Sequence, residues 1–300
     1  MAKLVRYAWF VLLFNVAVIG FGAFVRATGS GAGCGPSWPT CRPALSPETE
    51  AERAIELMHR ATAGVALLLV VVLAFLVWRI TGKGHPARTG VVLSVIAIVG
   101  EALIGAMIVL AEWVAEDASV ARAVSVPLHL VNTLFLLAAL TLTIHWLYGG
   151  GRLDFWMDRR ITRWVLLGGV ALVLIFATGA ITALADTLFP KGAGLDRATQ
   201  TNLLTQLRVI HPVLATAAAL IGWIVASRSP RGRGLAASAL PVIVGLMLVS
   251  GGVNVALGVP VWMQLVHLAL ADALWITYVF VASRALQRSV ATASRLSPSR

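Results

Sequence analysis

Eight stretches of about 20 mostly apolar residues fill most of this 300-residue chain, near positions 8–26, 57–80, 89–111, 124–147, 162–184, 206–227, 235–257 and 261–283. A helix of that length crosses the hydrocarbon of a bilayer with every backbone group satisfied internally. The sequence therefore predicts an all-α integral membrane protein of eight transmembrane helices joined by short loops. A hydrophobic content of 59% against 12% charged residues excludes a soluble globular class. The opening "MAKLVRYAWFVLLFNVAVIGFGAFV" is too long for a signal-peptide core and lacks a small-residue cleavage site, so it predicts the first helix.

Loop charge sets the expected orientation. With the N-terminus inside, sixteen of the 24 Lys and Arg residues fall on the inner side and eight on the outer, while nine of the thirteen acids fall outside. That bias predicts an N-in, C-in protein of the cell membrane. The net charge of +11 then reflects this bias and attraction to anionic lipid, because no nucleic-acid module is present. Cys34 and Cys41 stand in the first outer loop, "GSGAGCGPSWPTC", and in an oxidising compartment predict a disulfide. Two free thiols are the alternative, and the spacing alone is a poor metal signature.

The chain contains an internal repeat. "GAFVRATGSG" at the end of helix 1 matches "GAITALADTLFP" at the end of helix 5, and "GAMIVL" in helix 3 matches "GVNVAL" in helix 7. Helices 2, 4, 6 and 8 each carry a histidine within their first turns, His59, His129, His211 and His267. Residues 1–150 and 151–300 are thus expected to form two pseudo-symmetric four-helix bundles of the same orientation, an N-terminal and a C-terminal one. All four imidazoles then belong to one layer near the outer face. His85 and His145 lie towards the inner side and are expected to be ordinary surface residues.

A single histidine on an apolar helix is most simply a satisfied core residue, but four in matching places point to ligation. Two imidazoles facing each other across a bundle suit a planar macrocycle held by axial nitrogens, so haem is the leading ligand class. Zinc would require more thiolate or carboxylate than is near. The only pair on one helix, His129 and His145, is spaced too widely for a quinone-type cytochrome b.

The two sites differ three residues before each first histidine. Glu56 precedes His59, and Arg208 precedes His211; Val126 and Gln264 occupy the matching places before His129 and His267. A carboxylate can accept a proton or stabilise positive charge, whereas a guanidinium opposes such charge and pairs with a propionate. The pattern predicts a reactive first site and an electron-transferring second one. A helix-start acid favoured by the macrodipole is the bland account of Glu56. Arg26 and Arg60 are expected either to snorkel at the boundary or to meet propionates. Glu101 and Asp272, deeper in helices 3 and 8, have no partner evident in the sequence; they either relay protons or are neutral and hydrogen-bonded within a bundle.

"FGAFVRATGSGAGCGPSWPTC", "ELMHR", "PLHL", "VIHP" and "VHLALADALW", at these places in eight helices, resemble the haem A synthases, the CtaA and Cox15 group. The resemblance covers essentially the whole chain. It implies a membrane oxidoreductase that oxidises the C8 methyl of haem O to a formyl group, giving haem A for terminal haem-copper oxidases. It further implies Glu56 as the essential acid, His59 and His129 as ligands of the substrate haem, and His211 and His267 as ligands of a haem b cofactor. Arg26, Arg60, Arg208 and Gln264 would be propionate or site contacts, and Cys34 and Cys41 match the family's outer-loop pair. Haem O synthase would be the supplier, with an unidentified electron acceptor. The alternative is a non-catalytic haem-binding electron carrier or haem transporter. Two departures stand out: "DTLFPKGAGLDRATQTN" lacks the second cysteine pair of many bacterial members, and Glu101 stands where an amide is expected.

Overall fold

The structure, a computed structural model, describes residues 1–41, 47–189, 208–228 and 235–287. Among the described residues eight α-helices follow in chain order: α1 Ala2–Ala27, α2 Pro47–Ile80, α3 Ala87–Leu110, α4 Val120–Leu147, α5 Arg159–Leu188, α6 Ile210–Arg228, α7 Leu235–Ala256 and α8 Val261–Leu286. Seven of them contain stretches long and apolar enough to cross a membrane; the apolar stretch delimited in α6, Ile210–Ala219, is shorter. The all-α multi-pass architecture is as expected. Most of the loop between α5 and α6, whose sequence carries no cysteine, lies outside the described residues.

Helix α2 begins ten residues before its apolar stretch. Hydropathy marks only the part that lies in lipid, and Ala51, Glu52, Arg53 and Ala54 are residues that extend a helix into water. An ion pair of 2.9 Å between Arg53 and Glu50 spans one turn of this extension. Helices α4 and α5 begin where a side chain takes up free backbone amides. Ser119 accepts from the Arg122 N–H at 3.2 Å, and Asp158 accepts from Arg160 and Ile161 at 2.8 and 3.0 Å.

Helices α4 and α8 are central. Helix α4 packs on α1, α3, α5 and α8, and α8 packs on α1, α4, α5 and α7. One apolar core runs through both halves, from Leu12, Val70, Leu73 and Val91 through Leu137 and Ile144 to Phe176, Trp275 and Val279. The Trp275 indole donates to the Leu134 carbonyl at 2.7 Å, joining α8 to α4. Polar side chains inside this core bond backward along their own helices: Asn15 to the Val11 carbonyl, Ser94 to Gly90, Thr141 to Leu137 and Thr143 to Ala139. Lipid offers no alternative partner, so such local bonds keep the polar groups satisfied.

The segment after α1 is built on two glycines. Gly29 has φ of 74°, a left-handed conformation that ends α1 before the 3₁₀ turn Ser30–Ala32. Gly33 lies against the start of α2, where a Cβ would overlap the backbone of Glu52 and Arg53. Cys34 and Cys41 then form the expected disulfide. Gly33→Ala is expected to cost about 1–3 kcal/mol by overpacking against a rigid backbone. A lower midpoint of thermal unfolding in detergent, and faster reduction of the disulfide, are the measurements that check it.

Candidate functional site

The four helix-start histidines share one structural device. Each imidazole lies beside a glycine of the preceding helix: His59 beside Gly22, His129 beside Gly105, His211 beside Gly179 and His267 beside Gly251. A Cβ at Gly22 or Gly179 would stand 3.0 Å from the neighbouring imidazole Cε1, and one at Gly251 would stand 3.3 Å away; at Gly105 the nearest ring atom would be Nε2 at 4.0 Å. Any larger side chain at the first three would push the ring out of place. Gly22 and Gly179 open the two repeated segments, "GAFVR" and "GAITA", which is the sequence signal for this feature.

The ring nitrogens are held differently at each site. The Nδ1 of His211 lies 3.0 Å from the Ile175 carbonyl and 3.4 Å from the Thr178 hydroxyl. The Nδ1 of His267 lies 2.8 Å from the Ser250 hydroxyl. The Nδ1 of His129 lies 3.0 Å from Oε2 of Glu101. His59 has no such partner at its buried Nδ1 among the described residues, and its ring packs edge-on against Phe21 with centroids 5.7 Å apart. The rings of His211 and His267 face each other across the second bundle with centroids 6.4 Å apart and planes at 87°. Holding Nδ1 leaves Nε2 as the nitrogen free to ligate.

Glu56 is 3% exposed, and both its oxygens are engaged. Oε2 accepts the Cys34 N–H at 2.7 Å, and Oε1 accepts from Nη2 of Arg60 at 2.5 Å. The other arm of Arg60 donates to the carbonyls of Ser37 and Thr40 at 2.7 and 2.9 Å. The pair thus clamps the disulfide loop onto the start of α2, one turn from His59. Arg208 performs the matching task with opposite polarity. It pairs with Asp186 at 3.1 Å and donates to the carbonyls of Ala185 and Phe189, pinning the chain before α6 to the end of α5. A carboxylate takes the N–H of the first segment, and a guanidinium takes the carbonyls of the second.

Arg26 lies between the halves. Its Nη1 donates to the Ala183 carbonyl at 2.7 Å and to the Thr187 hydroxyl at 2.5 Å, and its Nη2 donates to Gln264 Oε1 at 2.9 Å. Gln264 in turn donates to the Val259 carbonyl at 3.0 Å. All four residues expected to meet propionates therefore have partners within the protein, and they stand at the histidine end of the helices. At the opposite end the expectation for His145 fails. It is 6% exposed rather than on the surface, because it folds against Gly150, whose missing side chain makes the space. His85 is half-buried and accepts the Ala87 N–H at 3.2 Å.

Glu101 does have partners. Asn132 donates to its Oε1 at 2.6 Å, and Thr133 donates to its Oε2 at 3.1 Å. Only the fold could reveal them, since they come from a neighbouring helix 31 and 32 residues away. Asp272, 2% exposed, lies on the face of α8 that carries Trp275.

Known proteins resemble this chain over much of its length. Over 299 residues the chain is 46% identical to a protein of Thermus thermophilus named protoheme IX farnesyltransferase, covering 96% of this chain and 49% of that protein. It is 32% identical over 161 residues to a heme A synthase of Staphylococcus haemolyticus, covering 53% of this chain and 52% of the relative. A heme A synthase of Staphylococcus aureus is 31% identical over 172 residues, 57% of this chain and 55% of the relative. The chain spans about half the length of these curated relatives. The family model COX15-CtaA, described as cytochrome oxidase assembly protein, matches residues 5–279: this chain is a member of the COX15-CtaA family.

Proposed function

We propose that this protein is a haem A synthase, oxidising the C8 methyl of haem O to a formyl group in the first bundle and passing electrons to a haem b in the second. The observation that carries the reading is the His211 and His267 pair, 6.4 Å between ring centres with both Nδ1 atoms held by protein acceptors. The two facing imidazoles of His211 and His267 would hold a haem iron between them. Two imidazoles are too few for a structural zinc but suffice for a macrocycle that brings four nitrogens of its own. Among the described residues no three His, Cys, Asp or Glu side chains converge on a metal. When bound, haem b supplies one-electron transfer between the first site and an outside acceptor.

The protein's own residues do the rest. His59 and His129 hold the substrate haem from opposite helices. Glu56, three residues before His59 where the second half has Arg208 before His211, is the acid at this site and would accept a proton or balance developing positive charge. Arg60 holds that carboxylate and the disulfide loop over the site. Propionates of bound haems would compete with backbone carbonyls for Arg60 and Arg208, and would reach Arg26 and Gln264 between the two sites. The sites lie towards the outer face of the cell membrane, and the two halves, 1–150 and 151–300, each form one haem-binding unit.

The Thermus relative is about twice as long as the matched region and is named for a different reaction. Farnesyl transfer uses a prenyl diphosphate, and diphosphates are bound through divalent cations on clustered carboxylates. The described residues offer no such cluster. We therefore assign the farnesyltransferase name to the half of the relative that this chain does not match. A haem O synthase is accordingly the supplier of substrate, and a terminal haem-copper oxidase is the recipient of product.

The test is to express the chain with a haem O source, purify it and extract its haems. Haems B, O and A together are expected. Haem B alone, with no haem A formed, would favour an electron carrier; haem O formed from haem B and a prenyl diphosphate would favour the transferase.

A further inference from the structure

Three of the four ligand-type imidazoles have a polar neighbour within 3.0 Å of Nδ1, and only one of those neighbours is an acid. His211 faces a backbone carbonyl and His267 a hydroxyl, whereas His129 faces the Glu101 carboxylate at 3.0 Å. We propose that Glu101 is a positioning residue for His129, fixing its ring through Nδ1 and setting the iron of the first site at a lower reduction potential than that of the second. The proposal rests on the haem-ligand reading given above.

The geometry of α3 and α4 is built around this carboxylate. Asn132 donates to Oε1 at 2.6 Å and also to the Ala97 carbonyl at 2.9 Å, so its amide is fixed by two helix-borne acceptors. Its approach depends on Gly100, where a Cβ would stand 2.9 Å from the Asn132 side-chain oxygen. Thr133 donates to Oε2 at 3.1 Å and lies within 3.0 Å of the His129 carbonyl, one turn back along α4. The Asn132 amide and the Thr133 hydroxyl therefore converge on Glu101, and the His129 ring stands as its third polar neighbour, with Nδ1 3.0 Å from Oε2. One turn further along α3, Gly105 leaves open the space beside His129 Nε2. A single face of α3 thus holds one nitrogen of the ring and clears the other.

A carboxylate accepting the distal N–H of a ligand histidine raises the donor strength of that histidine and favours the oxidised metal; a hydroxyl or carbonyl does so less. The second haem is then the better electron acceptor. Electrons released by oxidation at the first site run downhill towards His211 and His267, and the direction of flow is set by the residues around the ligands.

The experiment is a redox titration of the purified, haem-loaded protein, with each haem followed by its own absorption band. Glu101→Gln is expected to raise the ratio of reduced to oxidised first-site haem about tenfold at a fixed poise, equivalent to about 59 mV for one electron, with the second haem unmoved. Ser250→Ala is the matched control and should move the second haem alone. Should Glu101→Gln fail to assemble, Asn132→Ala leaves the carboxylate but frees the oxygen it holds; the first-site potential should then fall. An unchanged first-site potential in a well-folded Glu101→Gln or Asn132→Ala protein overturns the proposal. Wild-type protein that binds no haem at all overturns the functional reading beneath it instead.

Discussion

His267→Ala and His211→Ala are each expected to strip the second bundle of its haem b while leaving the helices assembled. Each removes one of the two facing rings that would hold the iron, and each leaves a single ring in its place. Loss of second-shell partners alone weakens metal sites by about 10- to 100-fold, so loss of a ligand itself should exceed that. The measurement is haem B content per protein after extraction, with circular dichroism to show that helicity is kept. Normal haem B in either variant would show that the cofactor is held elsewhere. The glycines give a second route to the same result: Gly179→Leu leaves both ligands present but displaces the His211 ring, and it should lower haem B content without touching a ligand.

The second large effect concerns Glu56, where two roles predict different outcomes. As an anchor, the carboxylate takes the Cys34 N–H at 2.7 Å and closes an ion pair with Arg60. Glu56→Gln retains an oxygen for that N–H, so an anchor alone should survive it with modest loss. As a catalytic group, the carboxylate must carry charge or a proton, and Glu56→Gln should then be nearly as inactive as Glu56→Ala, with haem A formation down about 10²- to 10⁴-fold. We expect the latter for haem A yield. Stability should follow the other order, with Glu56→Ala the worse because it leaves the buried Cys34 N–H without its acceptor and removes one of the partners of Arg60, at a cost of about 1–3 kcal/mol. A Gln variant that still makes haem A at the normal level would reduce Glu56 to a clamp.

Much of this was legible in the chain. Apolar length marks the helices, because lipid permits little else, and the repeat alone sets four imidazoles at matching places. The disulfide followed from two cysteines in one glycine-rich loop. The partners of the polar residues were not legible. Hydropathy says that Glu101 is buried but not that Asn132 and Thr133 lie across from it, since helix rotation about its axis is set by packing. His145 was misplaced for the same reason: its position near a helix end suggested the surface, and only the fold shows Gly150 against it. The contrast of Glu56 with Arg208 was visible in the sequence as a difference of charge. The fold adds that both residues pin the chain preceding their helices, so the asymmetry of charge is superposed on a likeness of mechanical role.

The counterpart of Arg26 in the internal repeat is Ala183, and the guanidinium donates to the carbonyl of that same residue. A second arginine at that place would set two guanidinium groups against each other away from water. With alanine there, one cation meets backbone and side-chain acceptors alone and becomes a cross-brace that ties α1 to α5 and α8.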